Sequence, residues 1–287
     1  MDPIFLVEAA INGILLGGVL AVLALGLNLI FGVLDIVWIA YVDLVMLAMY
    51  AFYFMVQGHG WSVWVAGPAT LVVGALLGIA VHLLIISPIL TSAPINQLLA
   101  TGGLLFFLQS FATFLWTTDH RSVRLSLPSV EIGGIFLPFT RVIPFAISIL
   151  AMLALYLFLR HTYIGTAIRA VSQDRDAMAL MGANPQRVYV VTSAVGGAMA
   201  GLAATLLSFQ YSVHPFFGGQ FGPLTFMICV LGGLGNMVGA FVASFVMSEI
   251  IAIGGVMFST EMGYVIAFVV FIVVMFARPG GILARRE

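Results

Sequence analysis

The chain contains no lysine, and all ten of its basic residues are arginine. A phosphate-binding P-loop ends in Gly-Lys-Ser/Thr, so the chain carries no P-loop ATPase of its own, and Schiff-base chemistry on lysine is excluded as well. Cysteine is nearly absent: Cys229 alone, inside an apolar run, rules out disulfides and thiolate metal clusters. Charge is scarce, at 7% of residues against 62% hydrophobic, with a mean hydropathy of +1.19. A water-soluble fold could not cover that much apolar surface with so few charges, so the solvent is lipid. The formal net charge of -1 says nothing about nucleic acid, and no nucleic-acid partner is expected. The five histidines (His59, His82, His120, His161, His214) are scattered without metal-ligand spacing, and neither a metal nor a cofactor is expected.

What is present is a series of apolar runs, at 4–33, 36–57, 64–87, 96–118, 142–160, 188–212, 223–234, 237–257 and 262–277. About 20 such residues cross the hydrocarbon core as a helix, and a backbone without water must be helical there. The expected fold is therefore all-α: a polytopic transmembrane bundle of about 8–9 segments, including short or broken helices, forming one transmembrane domain over 1–287. The acidic N-terminus (Met1-Asp2-Pro3) and the length of the first run argue against a cleavable signal peptide.

Arginine placement gives the orientation. Arg160, Arg169, Arg175 and Arg187 surround the polar loop 161–187, and Arg278, Arg285 and Arg286 occupy the tail, so both are expected on the cytoplasmic side. An even number of crossings must separate them, which requires 223–257 to split at Gly232-Gly233-Leu234-Gly235-Asn236. Short, glycine-interrupted segments are tolerated where protein or a cavity surrounds them, and they often mark transport sites. The loop 119–141 then faces outside, with a hairpin expected around Gly133-Gly134.

The loop 161–187 holds a short helix with its own signals. Ser172 is placed to cap a helix beginning at Gln173, Asp174 and Asp176 suit its positive end, Gly182 closes it, and Asn184-Pro185 prevents continuation. Ala177, Met178, Leu180 and Met181 form an apolar knob rimmed by Asp174 and Arg175. A helix this short needs support. Two readings stay open: docking into a groove of a second protein, or rest on the membrane or on the chain's own helices.

Among the spans, Asn12, Asn28, Asp43, Gln97, Gln109 and Glu249 are polar groups at membrane depth, where such side chains normally face a cavity or a partner. Asp35, at the end of the first span, reads as a solvated helix end. The glycines at 196, 197 and 201 read as close helix packing.

The segment Arg169-Ala-Val-Ser-Gln-Asp-Arg-Asp-Ala-Met-Ala-Leu-Met-Gly-Ala-Asn resembles the coupling segment of branched-chain amino-acid ABC transporter permeases. Gly26-Leu-Asn-Leu-Ile-Phe-Gly-Val-Leu, Val230-Leu-Gly-Gly-Leu-Gly-Asn-Met-Val-Gly-Ala and Arg278-Pro-Gly-Gly-Ile-Leu resemble further motifs of that family, in family order over nearly the whole chain. The likeness is to the shorter of the paired permeases. It implies two separate ABC ATPase subunits, a second homologous permease, an external solute-binding protein and a small solute such as a branched-chain amino acid, all within a lipid membrane. It also implies that Arg169, Asp174, Arg175, Ala177, Leu180 and Gly182 couple to the ATPase. Candidate translocation residues are Asn28, Tyr41, Asp43, Gln97, Gly232, Gly233 and Asn236. Where the family has Asn-Phe-Ala-His-Gly, this chain has Trp38-Ile39-Ala40-Tyr41-Val42 and then Asp43, so the family's solute does not carry over through those positions. The alternative is a self-sufficient carrier or channel driven by an ion gradient. An intramembrane enzyme is disfavoured, because no clustered acid, histidine or metal motif exists.

Overall fold

The computed structural model describes residues 3–123, 128–132, 135–181, 184–278 and 280–283. Helix α1 runs Pro3–Leu34, and α2 (Tyr41–Tyr53) continues through a π-helical turn at Phe54–Gly58. Helix α3 (Val63–Val81) passes through a second π turn at His82–Ile86 into the short α4 (Ser87–Ile89), and α5 spans Pro94–Trp116. After a two-stranded hairpin come α6 (Phe139–His161), α7 (Tyr163–Gln173), α8 (Arg175–Leu180), α9 (Pro185–Leu207), α10 (Phe217–Gly232), α11 (Met237–Met257) and α12 (Thr260–Ala277). Among the described residues eight helical stretches are long and apolar enough to cross a membrane, and α10 is a ninth, shorter apolar helix. The chain is a multi-pass α-helical membrane protein.

Helix starts follow side-chain chemistry. Asn184, Asn236 and Ser259 cap α9, α11 and α12 by accepting from the amides of Gln186, Gly239 and Met262. Pro185 takes the first position of α9, where its missing N–H costs nothing. Asp35 ends α1 with a φ of 57°, its amide still bonded to the Phe31 carbonyl, and its side chain is exposed as a solvated end should be.

The spans alternate in direction, so α1, α4, α6, α7 and the α10–α11 turn meet at the end that carries the 161–187 segment, here called the loop face. Four helices, α9 to α12, separate that segment from the tail. The split of 223–257 into two crossings is therefore present, with its turn at 233–236. The first piece starts earlier than the apolar run suggested, at Phe217. Its 16 residues give a rise of about 24 Å.

Helix α1 is the pillar of the bundle. From Val19 to Ile30 its apolar side chains are buried, and it packs against α6, α9, α10 and α11. Helix α3 crosses α9 with almost no side chain between them: a Cβ on Gly197 would collide with the Gly74 carbonyl, and one on Gly201 with that of Thr70. Lipid gives apolar surfaces no drive to associate, so such backbone contact and interhelical hydrogen bonds must supply the cohesion. Ser193 and His82 add one, Oγ to Nδ1 at 2.9 Å, on the same seam.

Three expectations needed correction. The second span does not begin at 36: residues 35–40 are non-helical, because Asp35 stops α1 and the chain turns back into the bundle through a Tyr41 N–H bond to the Trp38 carbonyl. The Val37 carbonyl is satisfied by the Thr101 hydroxyl at 3.0 Å. The short helix of the loop is not capped by Ser172. Ser172 belongs to α7 and bonds back to the Arg169 carbonyl, while Asp174 caps α8 by accepting from the Ala177 amide at 2.9 Å. Helix α7 itself was not anticipated. Its strongly amphipathic sequence, with Thr162 as cap, buries Ile168 and Val171. In the hairpin, β1 (Ser129–Ile132) pairs antiparallel with β2 (Ile135–Pro138), Ile132 opposite Ile135, as a turn between them requires; Gly133-Gly134 lie outside the described residues.

Replacing Gly197 by Ala should force α3 and α9 apart at a cost of about 1–3 kcal/mol. A clear drop in the thermal midpoint of the detergent-purified protein, with Gly219→Ala as an unaffected control in open space, checks this.

Candidate functional site at the loop face

Where α1 and α6 end, beside α7, a cleft of about 1100 Å³ opens at the loop face. Its walls are Asn28 to Asp35, Tyr156 to Arg160, Ile168 to Arg175, the turn Gly233–Val238 and Gly280. Two sets of residues expected from the sequence for different reasons meet here: Arg169, Asp174 and Arg175 of the loop, and Asn28, Gly233 and Asn236 of the spans. Three arginines (Arg160, Arg169, Arg175) face two aspartates (Asp35, Asp174) around it, so the cleft has a positive balance.

Asn28 organises the inner wall. Its side-chain N–H groups donate to the Asn236 carbonyl at 2.9 Å and the Gly233 carbonyl at 3.4 Å, and its Oδ1 accepts from the Gly235 amide at 2.7 Å. The side chain is fully buried and nearly saturated. Gly233 and Gly235 carry φ of 94° and 81°, which non-glycine residues avoid, so the turn needs glycine at both positions. The tail is laced to the same turn. The Ile282 amide donates to the Leu231 carbonyl at 2.8 Å, and Asn236 Nδ2 donates to the Leu283 carbonyl at 2.8 Å. That Asn28 would bond to backbone rather than a side chain was hidden in the sequence, because its partners are more than 200 residues away.

The other expected residues lie elsewhere. Gly232 is the buried last residue of α10, pressed on the α11 backbone at Gly239–Ala240. Tyr41 is buried among α1, α2 and α9, its hydroxyl donating to the Gly196 carbonyl at 3.0 Å and resting on Gly26. Asp43 is buried toward the opposite face, where its Oδ1 accepts from Gln109 at 3.0 Å and its carboxylate rests on Gly218. Gln97 caps the α4 connection by donating to the carbonyls of Ile89, Leu90 and Ser92. Ala177 is exposed on α8, whereas Gly182 and the side chain of Leu180 lie outside the described residues. Tyr156 of the cleft was not singled out from sequence, and Arg160 served there only to mark orientation; an Arg four residues after a Tyr on one helix face was the available signal.

At the opposite face the segment after α5 clasps the turn before α10. Arg121 and Val213 exchange backbone bonds of 2.9 and 2.8 Å, His120 Nδ1 meets Ser212 Oγ at 3.2 Å, and the His120 and His214 rings lie 4.5 Å apart. Burial, and secondarily the His120 ring, hold the His214 imidazole below its usual range. Among the described residues no group of three or more His, Cys, Asp or Glu side chains could hold a metal ion.

A helical bundle that spans a membrane repeatedly, and keeps a polar cleft lined by a separate amphipathic segment at one face, is the architecture of a membrane permease. The chain belongs to the family described as branched-chain amino acid transport system / permease component, which matches residues 9–275. It is 28% identical to the high-affinity branched-chain amino acid transport system permease protein LivH of Escherichia coli K12, covering 99% of this chain and 97% of that protein. It is 25% identical to the corresponding BraD of Pseudomonas aeruginosa, over 98% and 96%. A probable LivH of Methanocaldococcus jannaschii is 24% identical over 82% of this chain and 76% of that protein. No solved structure matches.

Asn28→Ala should leave the Gly235 amide unpaired, costing about 1–3 kcal/mol; faster hydrogen exchange at Gly235 and Ile282 than in the wild type checks this. Acid should loosen the opposite clasp. Unfolded His214 protonates near its ordinary value of 6.5 while the folded residue resists. Its contribution is therefore complete above that value and lost as pH falls below it. Thermal midpoints at pH 7.5 and 5.5 should diverge less for His214→Phe than for the wild type.

Proposed function

We propose that the chain is one permease subunit of an ABC importer for branched-chain or related hydrophobic amino acids, in the cell membrane of a bacterium or archaeon. Two separate ATPase subunits drive it, a second homologous permease completes the channel, and an external binding protein delivers the solute. The observation that carries this reading is the shared cleft. The segment α7–α8 and the glycine turn, distant in sequence, line one space, so a push on the segment changes the shape of the space.

The lever has the needed mechanical parts. Helix α7 packs on α1, α6 and α9 through Ile168 and Val171, while Asp174 breaks it from α8. Helix α8 presents Arg175 and Ala177 at the surface, where an ATPase groove would grip them. The role of Leu180 and Gly182 in that grip follows from the family motif. Force on α8 passes through α7 to the ends of α1 and α6, which bound the cleft together with Asn28 and the 233–236 turn. With the loop face cytoplasmic, the cleft is the inward mouth, and the β1–β2 hairpin and the 117–123 clasp lie on the side that meets the binding protein. Tyr41, Asp43 and Gln97 belong in this scheme to the moving walls of the path, held by bonds to neighbouring helices rather than by lipid contact.

Arg175→Ala combined with Leu180→Ala should abolish solute-stimulated ATP hydrolysis by the reconstituted transporter while the permease keeps its thermal midpoint. Unchanged stimulation, or solute flux through the purified chain in liposomes without any ATPase, would refute the assignment.

A further inference from the structure

Next to the cleft, deeper in the bilayer, lies a second hollow of about 220 Å³ between α1, α6 and α11. Leu25 of α1 forms its floor, Met152 and Leu155 of α6 one wall, and Val238 and Phe241 of α11 the other. Toward the opposite face the walls close on a pair of glycines: Phe145 of α6 lies against Gly18, and Phe245 of α11 against Gly17. Seven residues further along α1, at Leu25, the two walls stand apart. From that level the hollow opens in two directions.

One opening is sideways, into the membrane. The flanks are apolar and exposed along both helices, with Leu150, Leu153 and Leu157 on α6 and Val238, Val242 and Val246 on α11. The other opening leads to the loop face. Tyr156, Met237 and Val238 line both the hollow and the cleft, so the two spaces adjoin. At their junction Arg160 donates to the Tyr156 hydroxyl at 2.7 Å, with its guanidinium 5.8 Å from the ring centroid. Arg169 reaches the Arg160 carbonyl at 3.5 Å, bringing a second guanidinium to the same rim. The bond to Tyr156 occupies one of five N–H groups on Arg160 and leaves the rest for an external acceptor.

We propose that this paired space binds an anionic phospholipid, one acyl chain in the hollow and the phosphate at Arg160. The order of chemistries along the bundle is that of such a lipid: hydrocarbon-lined toward the bilayer interior, cationic at the helix ends where headgroups lie, and open sideways so that a lipid enters from its own layer. Basic pockets between helices at a membrane face recognise anionic headgroups through this arrangement. A small free solute would gain nothing from the lateral opening. Binding there requires neither an ATPase nor a binding protein, so it can be tested without the importer reading, although the headgroup end lies at the rim of the cleft read above as the inward mouth.

The test uses the purified full-length chain in detergent, titrated with dioleoyl phosphatidylglycerol or dioleoyl phosphatidylcholine and read by native mass spectrometry. The wild type should retain one phosphatidylglycerol in preference to phosphatidylcholine. Arg160→Gln should weaken phosphatidylglycerol binding about fivefold, the order expected for one basic group, and leave phosphatidylcholine unchanged. Arg160→Lys should restore the preference. Val238→Trp, at a position 61% exposed and so tolerant of bulk, should fill the hollow from its rim and weaken both lipids without lowering the thermal midpoint. Equal retention of the two lipids, an Arg160→Gln variant that binds phosphatidylglycerol as the wild type does, or displacement of the lipid by millimolar leucine would each overturn the proposal. So would loss of the bound lipid on adding a second permease, which would assign the groove to a protein helix.

Discussion

Backbone that leaves the helix inside a membrane must find its hydrogen-bond partners within the protein, and the bundle is arranged around two places where it does so. One is the segment 35–40, which turns back among the helices after Asp35 and is held by the Thr101 hydroxyl and by the start of α2. The other is the 233–236 turn, held by Asn28. Both lie at the end of α1. That helix is therefore more than a greasy pillar: its last two turns carry the side chain and the stop signal that allow irregular backbone to exist at depth. The cleft is the space those two irregular segments leave beside the α7–α8 segment.

Cohesion elsewhere comes from closeness rather than from hydrophobic drive. The α3–α9 seam brings backbone against backbone at glycines, and the α1–α11 and α1–α6 contacts use Gly17 and Gly18 to seat phenylalanine rings. Among the described residues cationic charge is kept to the helix ends and loops. Arginines gather around the loop-face cleft, and the buried Asp43 is paired with Gln109 rather than with a cation.

Much of this was legible in the residues. Apolar run length located the spans, and charge placement with crossing parity located the break at 232–236, because both rest on the physics of a solvent that is the same everywhere along the chain. Boundaries failed where a single side chain decided them. Asp35 in a left-handed conformation ended α1 and pushed the start of α2 to Tyr41; Asp174 rather than Ser172 took the cap of α8. Helix α7 was missed because its polar face hid an otherwise regular helical period. Within the site, residue type singled out Asn28, Arg169 and Arg175 but could not show that they share a cleft. Nor could it show that Gln97 serves a turn, since its carbonyl partners carry no sequence signature.

Helix α5 stands apart from the rest. Its Phe106, Phe107 and Phe114 rings are exposed, and nothing lies near Gly102 or Gly103. One face is fastened to the bundle by the buried Leu104, Leu108 and Ala112, with Gln97 at its foot, Thr101 just above, Gln109 on Asp43 and the Trp116 ring stacked 4.1 Å from Tyr50 at its head. Its outer aromatic flank is therefore left to whatever adjoins the bundle, and in a membrane lipid acyl chains are enough to cover it.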